Sequence, residues 1–455
     1  MRRIVTLFCG LWLIIGCLLP ASATPDTISA MTDGCMGADA KRPLLGQVSL
    51  VENATSAIMY EMTSGTLMYG YAPDIRVLPS SCVKLMTALL AIEEGDLNAR
   101  VVVSRSALNA VSIGAVSTKL QVGEELSLRD LLYCMLVGSG NDAAAVIAEH
   151  IGGSQSAFVE KMNARAMMLG CTGTNFMNAH GLHNKNQYTT ARDMLKIIIE
   201  ALKSDVFREL FGATKYTVPA TNLYGERELN TGNYLLVNDG EHIYYDERVT
   251  GGRTGIAQDG SRCVAATARK GNMELITLVF GASSKYAADG YTIEIQGGFQ
   301  ETTRLLDLAY EGYQVCQIMY PNQMLAQREV PNGDNALNLC ATESRFAVLP
   351  VNFLLSQLEY RIQDSGKAYT APIENGSIQT TLEVWFGSFC MAQGDLAAGN
   401  GVAAVSSKLG ERPPKSPPNL RPLGIVFLMI AVLPIGVLLG VRITNTVQAR
   451  RRNKR

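Results

Sequence analysis

Three short stretches carry residue types that could do chemistry together. The first is Ser81-Cys82-Val83-Lys84, a hydroxyl and an amine three residues apart at the start of an apolar run. On a helix that spacing puts both side chains on one face. A serine hydroxyl is a weak nucleophile and needs a base; a lysine in a crowded apolar site sheds its proton more easily and can supply one. A helix N-terminus at Ser81 would also favour the negative charge that develops there. The second stretch is Ser139-Gly140-Asn141, at a break between two helical patterns, where a hydroxyl and an amide could face the first pair. The third is Arg253-Thr254-Gly255 within Gly251–Ala257: a cation and a hydroxyl that can grip a carboxylate, beside glycines that let a backbone approach closely. Each has a plain structural alternative: a chance Ser-x-x-Lys, a polar interhelix turn and a β-turn.

The order of the three says more than any one of them. Ser-x-x-Lys, then Ser-x-Asn, then a basic residue followed by Thr-Gly is the motif set of penicillin-binding proteins and serine β-lactamases. The flanks narrow this. Pro79–Thr87, Ser139–Ala145 (SGNDAAA), Asn178–Leu182 (NAHGL) and Val249–Gly255 (VTGGRTG) resemble the corresponding blocks of the D-alanyl-D-alanine carboxypeptidases, the low-molecular-weight penicillin-binding proteins. The resemblance covers roughly residues 45–395. It implies an α/β (α+β) fold: a five-stranded, mostly antiparallel sheet flanked by helices, followed by a small β domain. It also implies roles. Ser81 would form the acyl-enzyme, Lys84 would take its proton, and Ser139 would pass a proton to the leaving D-Ala nitrogen. Asn141 would bind the substrate amide, and Arg253 and Thr254, next to Gly255, would hold the terminal carboxylate. The backbone N–H groups of Ser81 and Ile256 would form the oxyanion hole. The implied substrate is a peptidoglycan stem peptide ending in D-Ala-D-Ala, with β-lactams as covalent inhibitors and no metal or organic cofactor. The sequence departs from the family pattern at Arg253, where lysine is usual; arginine keeps the charge but cannot relay a proton. Cys82, directly after the nucleophile, reads as a packing residue.

Elements that would hold these residues can be read around them. Ser56–Met62 and Thr66–Tyr71 suggest a hairpin, and Cys82–Glu94, apolar nearly all round, a buried helix. A helix from Ser127 to Val137 opens on a capping pattern with Asp130. Further helices are expected at Asn141–His150, Gln155–Leu169 and Ala191–Lys203, strands at Arg262–Arg269 and Glu274–Phe280, and a helix at Phe299–Tyr313. The catalytic domain would span 45–313. Residues 315–395, with short strand-like runs such as Arg345–Pro350 and Thr380–Phe386, read as a small β-sandwich-like domain.

The ends of the 455-residue chain differ from its middle. Residues 1–23 read as a secretory signal: Arg2 and Arg3, an apolar run, then Ala21-Ser22-Ala23. An uncleaved anchor, or lipid attachment at Cys17, are the alternatives. After a linker at 408–422 with five prolines, residues 423–441 hold no charge and would span about 28 Å as a helix, enough to cross a bilayer. The basic tail 442–455 would then be cytoplasmic and the rest of the mature chain outside, on the outer face of the bacterial cytoplasmic membrane. The chain has 40 Lys+Arg against 41 Asp+Glu, a balance that argues against a nucleic-acid partner. Eight cysteines lie outside the signal, scattered without metal-ligand spacing; a Cys316–Cys340 bridge is open from sequence. Two other functions fit some of the motifs. One is a β-lactamase, for which Glu226 or Glu228 would have to activate water. The other is a non-catalytic, membrane-anchored cell-wall binding protein or β-lactam sensor.

Overall fold

In the computed structural model, residues 37, 40, 42–46, 50–286, 288–289 and 293–405 are described. The segments 1–23, 408–422, 423–441 and 442–455 lie outside them. Among the described residues no helix is long and apolar enough to cross a membrane.

Strands β1 (Ser56–Glu61), β2 (Thr66–Tyr71), β3 (Val249–Ile256), β4 (Arg262–Lys270) and β5 (Met273–Ala282) form one sheet. Its order is β2-β1-β5-β4-β3, and every neighbouring pair is antiparallel, where the resemblance implied a mostly antiparallel sheet. Strands β1, β2, β4 and β5 are buried along most of their length because both faces are covered, whereas β3 alternates buried and more exposed residues. Side chains alternate along a strand. In β1, Ile58 and Tyr60 enter one core and Ala57 and Met59 the other.

The first core is roofed by helices α1 (Val83–Glu94), α2 (Arg105–Asn109), α3 (Leu128–Leu136), α4 (Asn141–Gly152), α5 (Gln155–Met168), α6 (Ala191–Ala201) and α7 (Asp205–Gly212). The second lies under α8 (Gly297–Gly312), which buries Phe299, Leu305, Leu306 and Ala309. Side-chain caps fix where several helices begin. The Ser127 hydroxyl accepts the Asp130 N–H at 3.0 Å, and Thr190 does the same for Asp193 at 3.0 Å. Such caps stabilise a helix by about 1 kcal/mol.

Past α8 the chain returns to strands: β6 (Tyr313–Met319), β7 (Met324–Arg328), β8 (Leu337–Ala341), β9 (Arg345–Pro350), β10 (Leu358–Ile362), β11 (Ile378–Phe386) and β12 (Phe389–Ala398). Five of them make a second sheet, β7-β8-β12-β11-β10, with its own core of Leu337, Leu339, Leu382, Val384 and Leu396. The other two, β6 and β9, pair as a separate ladder whose Val315 and Val348 pack into the core under α8. Cys316 and Cys340 keep free thiols, so the bridge left open by the sequence is not formed.

Two features of 205–230 were not anticipated. Helix α7 and a small ladder of Lys215–Val218 with Arg227–Asn230 lie between α6 and β3. The signal for α7 was present: Phe207, Leu210 and Phe211, at i, i+3 and i+4, are the residues it buries.

Candidate active site

Pro79 leads into a turn of 3-10 helix at Ser80–Cys82, which passes directly into α1. Ser81 therefore sits at the head of the helix, partly exposed, with Lys84 one turn below it and fully buried. The Lys84 Nζ stands 3.4 Å from Ser81 Oγ. It also donates to Asn141 Oδ1 at 2.7 Å and to the His180 carbonyl at 2.6 Å. A charged amine has three N–H groups and a neutral one two. With two acceptors fixed, a neutral Lys84 has its lone pair left for the Ser81 hydroxyl. Burial, and after it the nearby Arg253 charge, hold Lys84 well below the usual lysine range.

The second wall is the Gly138-Ser139-Gly140 loop between α3 and α4. Ser139 adopts φ +59°, a left-handed conformation that costs a non-glycine residue about 1–3 kcal/mol and is concentrated at functional sites. Neighbouring contacts hold it there. The Gly140 N–H donates to the Cys134 carbonyl at 2.9 Å, and the Asn141 N–H and Nδ2 donate to the Val116 carbonyl at 3.0 and 2.9 Å. One residue on, the buried Asp142 carboxylate accepts the N–H groups of Thr118 and Leu120 at 3.0 and 3.1 Å and the Ser117 hydroxyl at 2.6 Å. That strap is tied to α4, and Asn141 stays aimed at Lys84.

Strand β3, at the end of the sheet, supplies the third wall. Its Ile256 carbonyl accepts the Ser80 hydroxyl at 2.7 Å. A residue in an antiparallel strand points its N–H and C=O to the same side, so the Ile256 N–H also faces the Ser80–Cys82 turn. Gly255 is required here: a Cβ on it would lie 2.8 Å from Ser81 N, Ser80 Oγ and Cys263 Sγ alike. A second glycine closes the back. Gly181 has φ +86°, and a Cβ there would fall 2.0 Å from the Ser80 carbonyl oxygen. The cleft so formed measures about 690 Å³ and is bordered by Ser81, Ser139, Asn141, His180, Thr254 and Ile256, among others. No carboxylate side chain borders it among the described residues.

This constellation has counterparts. A family model for D-alanyl-D-alanine carboxypeptidases, the S11 peptidases, matches residues 47–284. The chain belongs to that family. The D-alanyl-D-alanine carboxypeptidase DacF of Bacillus subtilis is 30% identical over 357 residues, 77% of this chain and 86% of the relative. DacC of Escherichia coli is 27% identical over 341 residues, 73% and 80% of the two chains. Penicillin-binding protein 5 of Haemophilus influenzae superposes with a TM-score of 0.63 at 25% identity, covering 77% of this chain and 98% of that one. This D-alanyl-D-alanine carboxypeptidase is a serine peptidase, a hydrolase of the penicillin-binding type.

Within this carboxypeptidase, most of the sequence-derived candidates meet in the cleft. Ser81, Ser139, Asn141, Thr254, Gly255 and Ile256 border it, and Lys84 reaches its floor through Ser81 and Asn141. Arg253 does not border it. Its side chain is 4% exposed and donates from Nη1 to the Leu136 carbonyl at 2.7 Å, while Nε and Nη2 have no partner among the described residues. Burial pulls it down to about 10, so it stays cationic at neutral pH. Its field reaches the cleft from behind. Glu226 and Glu228 are exposed and away from the cleft, which leaves the β-lactamase reading without its carboxylate. His180 serves by its carbonyl: burial, and then the Lys84 charge, depress its ring to about 4, so the imidazole is neutral at physiological pH. Sequence reasoning missed Asp142, Ser80 and the His180 carbonyl. The motif block SGNDAAA contained Asp142, but only the fold shows which loop it ties.

Proposed function

We propose that the cleft releases the terminal D-Ala of peptidoglycan stem pentapeptides through an acyl-enzyme on Ser81. The observation that carries the assignment of roles is the buried Lys84 amine, held by Asn141 Oδ1 and the His180 carbonyl with Ser81 Oγ as its third neighbour.

Lys84 takes the Ser81 proton as Oγ attacks the carbonyl carbon between the two D-Ala residues. The carbonyl oxygen becomes an oxyanion between the N–H groups of Ser81 and Ile256, donors that need no reorganisation and are worth several kcal/mol. The C–N bond breaks as Ser139 hands a proton to the departing nitrogen. Asn141 holds the substrate amide. The Thr254 hydroxyl contacts the terminal carboxylate, and the buried Arg253 adds its positive field. Water then attacks the ester and regenerates Ser81. A cleft without a carboxylate wall favours an anionic chain end. It also lacks a second base to speed water onto a β-lactam adduct, so such adducts should persist.

Residues 1–23 and 423–441 support an exported protein tethered by its C-terminal end, with the cleft outside the membrane. Neither segment is among the described residues.

The test is Ser81→Ala. It should lose both D-Ala release from a stem pentapeptide and covalent labelling by a fluorescent penicillin; persistent labelling would show that another residue is the nucleophile.

A further inference from the structure

Behind the nucleophile lies a pair of thiols that the reaction does not use. Cys82 follows Ser81, and Cys263 sits on β4 opposite Gly255. Their sulfurs are 3.4 Å apart, the Cys82 thiol donating to Cys263, whose own thiol faces the Pro79 carbonyl at 3.6 Å. Cys82 is sealed, whereas Cys263, 2% exposed, borders the cleft. We propose that Cys82 and Cys263 form an oxidisable dithiol, a modification site that a small peroxide closes to a disulfide, and that closure slows acylation of Ser81.

The chemistry balances with hydrogen peroxide as oxidant. The Cys263 thiolate attacks one peroxide oxygen, the O–O bond breaks, and hydroxide leaves with the thiol's proton as water. Cys82 then attacks the resulting sulfenic sulfur, the S–S bond forms, the S–O bond breaks, and a second water departs. The two thiols give up two electrons and the peroxide gains them. The order of attack follows from the surroundings. The hydrogen bond from Cys82 holds Cys263 below the ordinary thiol range, with the Arg253 charge acting in the same sense, and that bond together with burial pushes Cys82 up. A small oxidant is required because the thiol at the cleft is almost covered.

Closure matters because of what the sulfurs touch. A disulfide needs about 2.05 Å, so the pair must draw together by more than about 1 Å. Cys263 Sγ, Ser81 N and Ser80 Oγ all crowd the same side of Gly255. Moving the thiols therefore shifts the nucleophile turn against β3, and displacements of about 1 Å can cost on the order of a hundredfold in rate.

The effect on rate rests on Ser81 being the nucleophile; the crosslink does not. Full-length reduced protein in detergent would be treated with hydrogen peroxide, mapped by non-reducing peptide mass spectrometry, and timed for fluorescent-penicillin labelling and D-Ala release. The expected result is a Cys82–Cys263 peptide two hydrogens lighter than the free thiols, with both rates at least about tenfold lower and restored by dithiothreitol. That reversal separates the effect from methionine sulfoxide. Cys263→Ala, or Cys82→Ala if the first fails to fold, should keep its rates under peroxide. No linked peptide after peroxide, or unchanged rates in fully linked protein, would overturn the proposal. If reduced protein neither labels nor releases D-Ala, the reading of Ser81 fails instead, and the peptide map still decides the crosslink.

Discussion

A buried amine changes its chemistry by giving up its charge, and Lys84 is placed to do so. Because its native value lies well below 10.5, acylation should rise with pH along a limb set by Lys84 and level off before the ordinary lysine range. Lys84→Arg should remove that limb and lower kcat/KM by about 10²–10⁴, measured by penicillin labelling across pH; a limb that survives would assign it to another group. The same shift bears on stability. Between the depressed native value and 10.5, the unfolded chain binds more protons than the folded one, so stability rises with pH through that window. Lys84→Met should flatten this slope in urea titrations. The shared helix face of Ser81 and Lys84 was legible from their spacing, since a helix turn is a local rule. The direction of Arg253 was not. Neighbouring strand residues point opposite ways, and which of them turns inward is set by pairing register, which the local sequence does not carry. Arg253 turns inward beneath the site, and Thr254 and Ile256 border the cleft.

At the scale of elements, the site depends on loops pinned by atoms outside the chemistry. Asp142→Ala would strip acceptors from the Thr118 and Leu120 N–H groups and the Ser117 hydroxyl. A loss of about 2–4 kcal/mol is expected in chemical denaturation, with slower labelling because Asn141 loses its anchor. An unchanged midpoint would show that the strap is not held this way. Gly181→Ala meets both a left-handed backbone and the Ser80 carbonyl, so it should cost about 1–3 kcal/mol or more and slow labelling; a variant as stable and as active as the parent would contradict the packing. Helices α1, α3 and α4 were readable because long apolar periodicity and an Ser-x-x-Asp cap announce them. Helix α7 was passed over although Phe207, Leu210 and Phe211 mark its buried face, since eight residues carry just over two turns of pattern. The tie between Gly181 and Ser80, a hundred residues apart, leaves no local trace at all.

At the scale of the molecule, the proposed tether makes a simple prediction. A chain ending at residue 405 should be recovered in the soluble fraction, and the full chain should stay with the membrane until detergent is added; full-length protein in the soluble fraction would sink the anchor. The runs Arg345–Pro350 and Thr380–Phe386 were visible as strand material, and they lie in β9 and β11. That β9 leaves the second sheet to pair with β6 was not visible, because pairing order is decided by contacts far apart in the chain.

The position of β3 at the margin of the main sheet has one more consequence. A free sheet margin invites any extended chain, including another copy of the same protein, and is a common start of aggregation. In β3 the invitation is short. Gly212 sits against the Thr250 carbonyl at one end and the Ser80 hydroxyl donates to the Ile256 carbonyl at the other, and Thr254, Gly255 and Ile256 border the cleft. Three residues of backbone, one of them glycine, are too few to recruit a neighbouring sheet. The proposed substrate would need no more, since only its last two residues have to lie along β3. On the proposed function, the same cut-off that leaves little margin for another copy would limit how much of a ligand β3 can pair with.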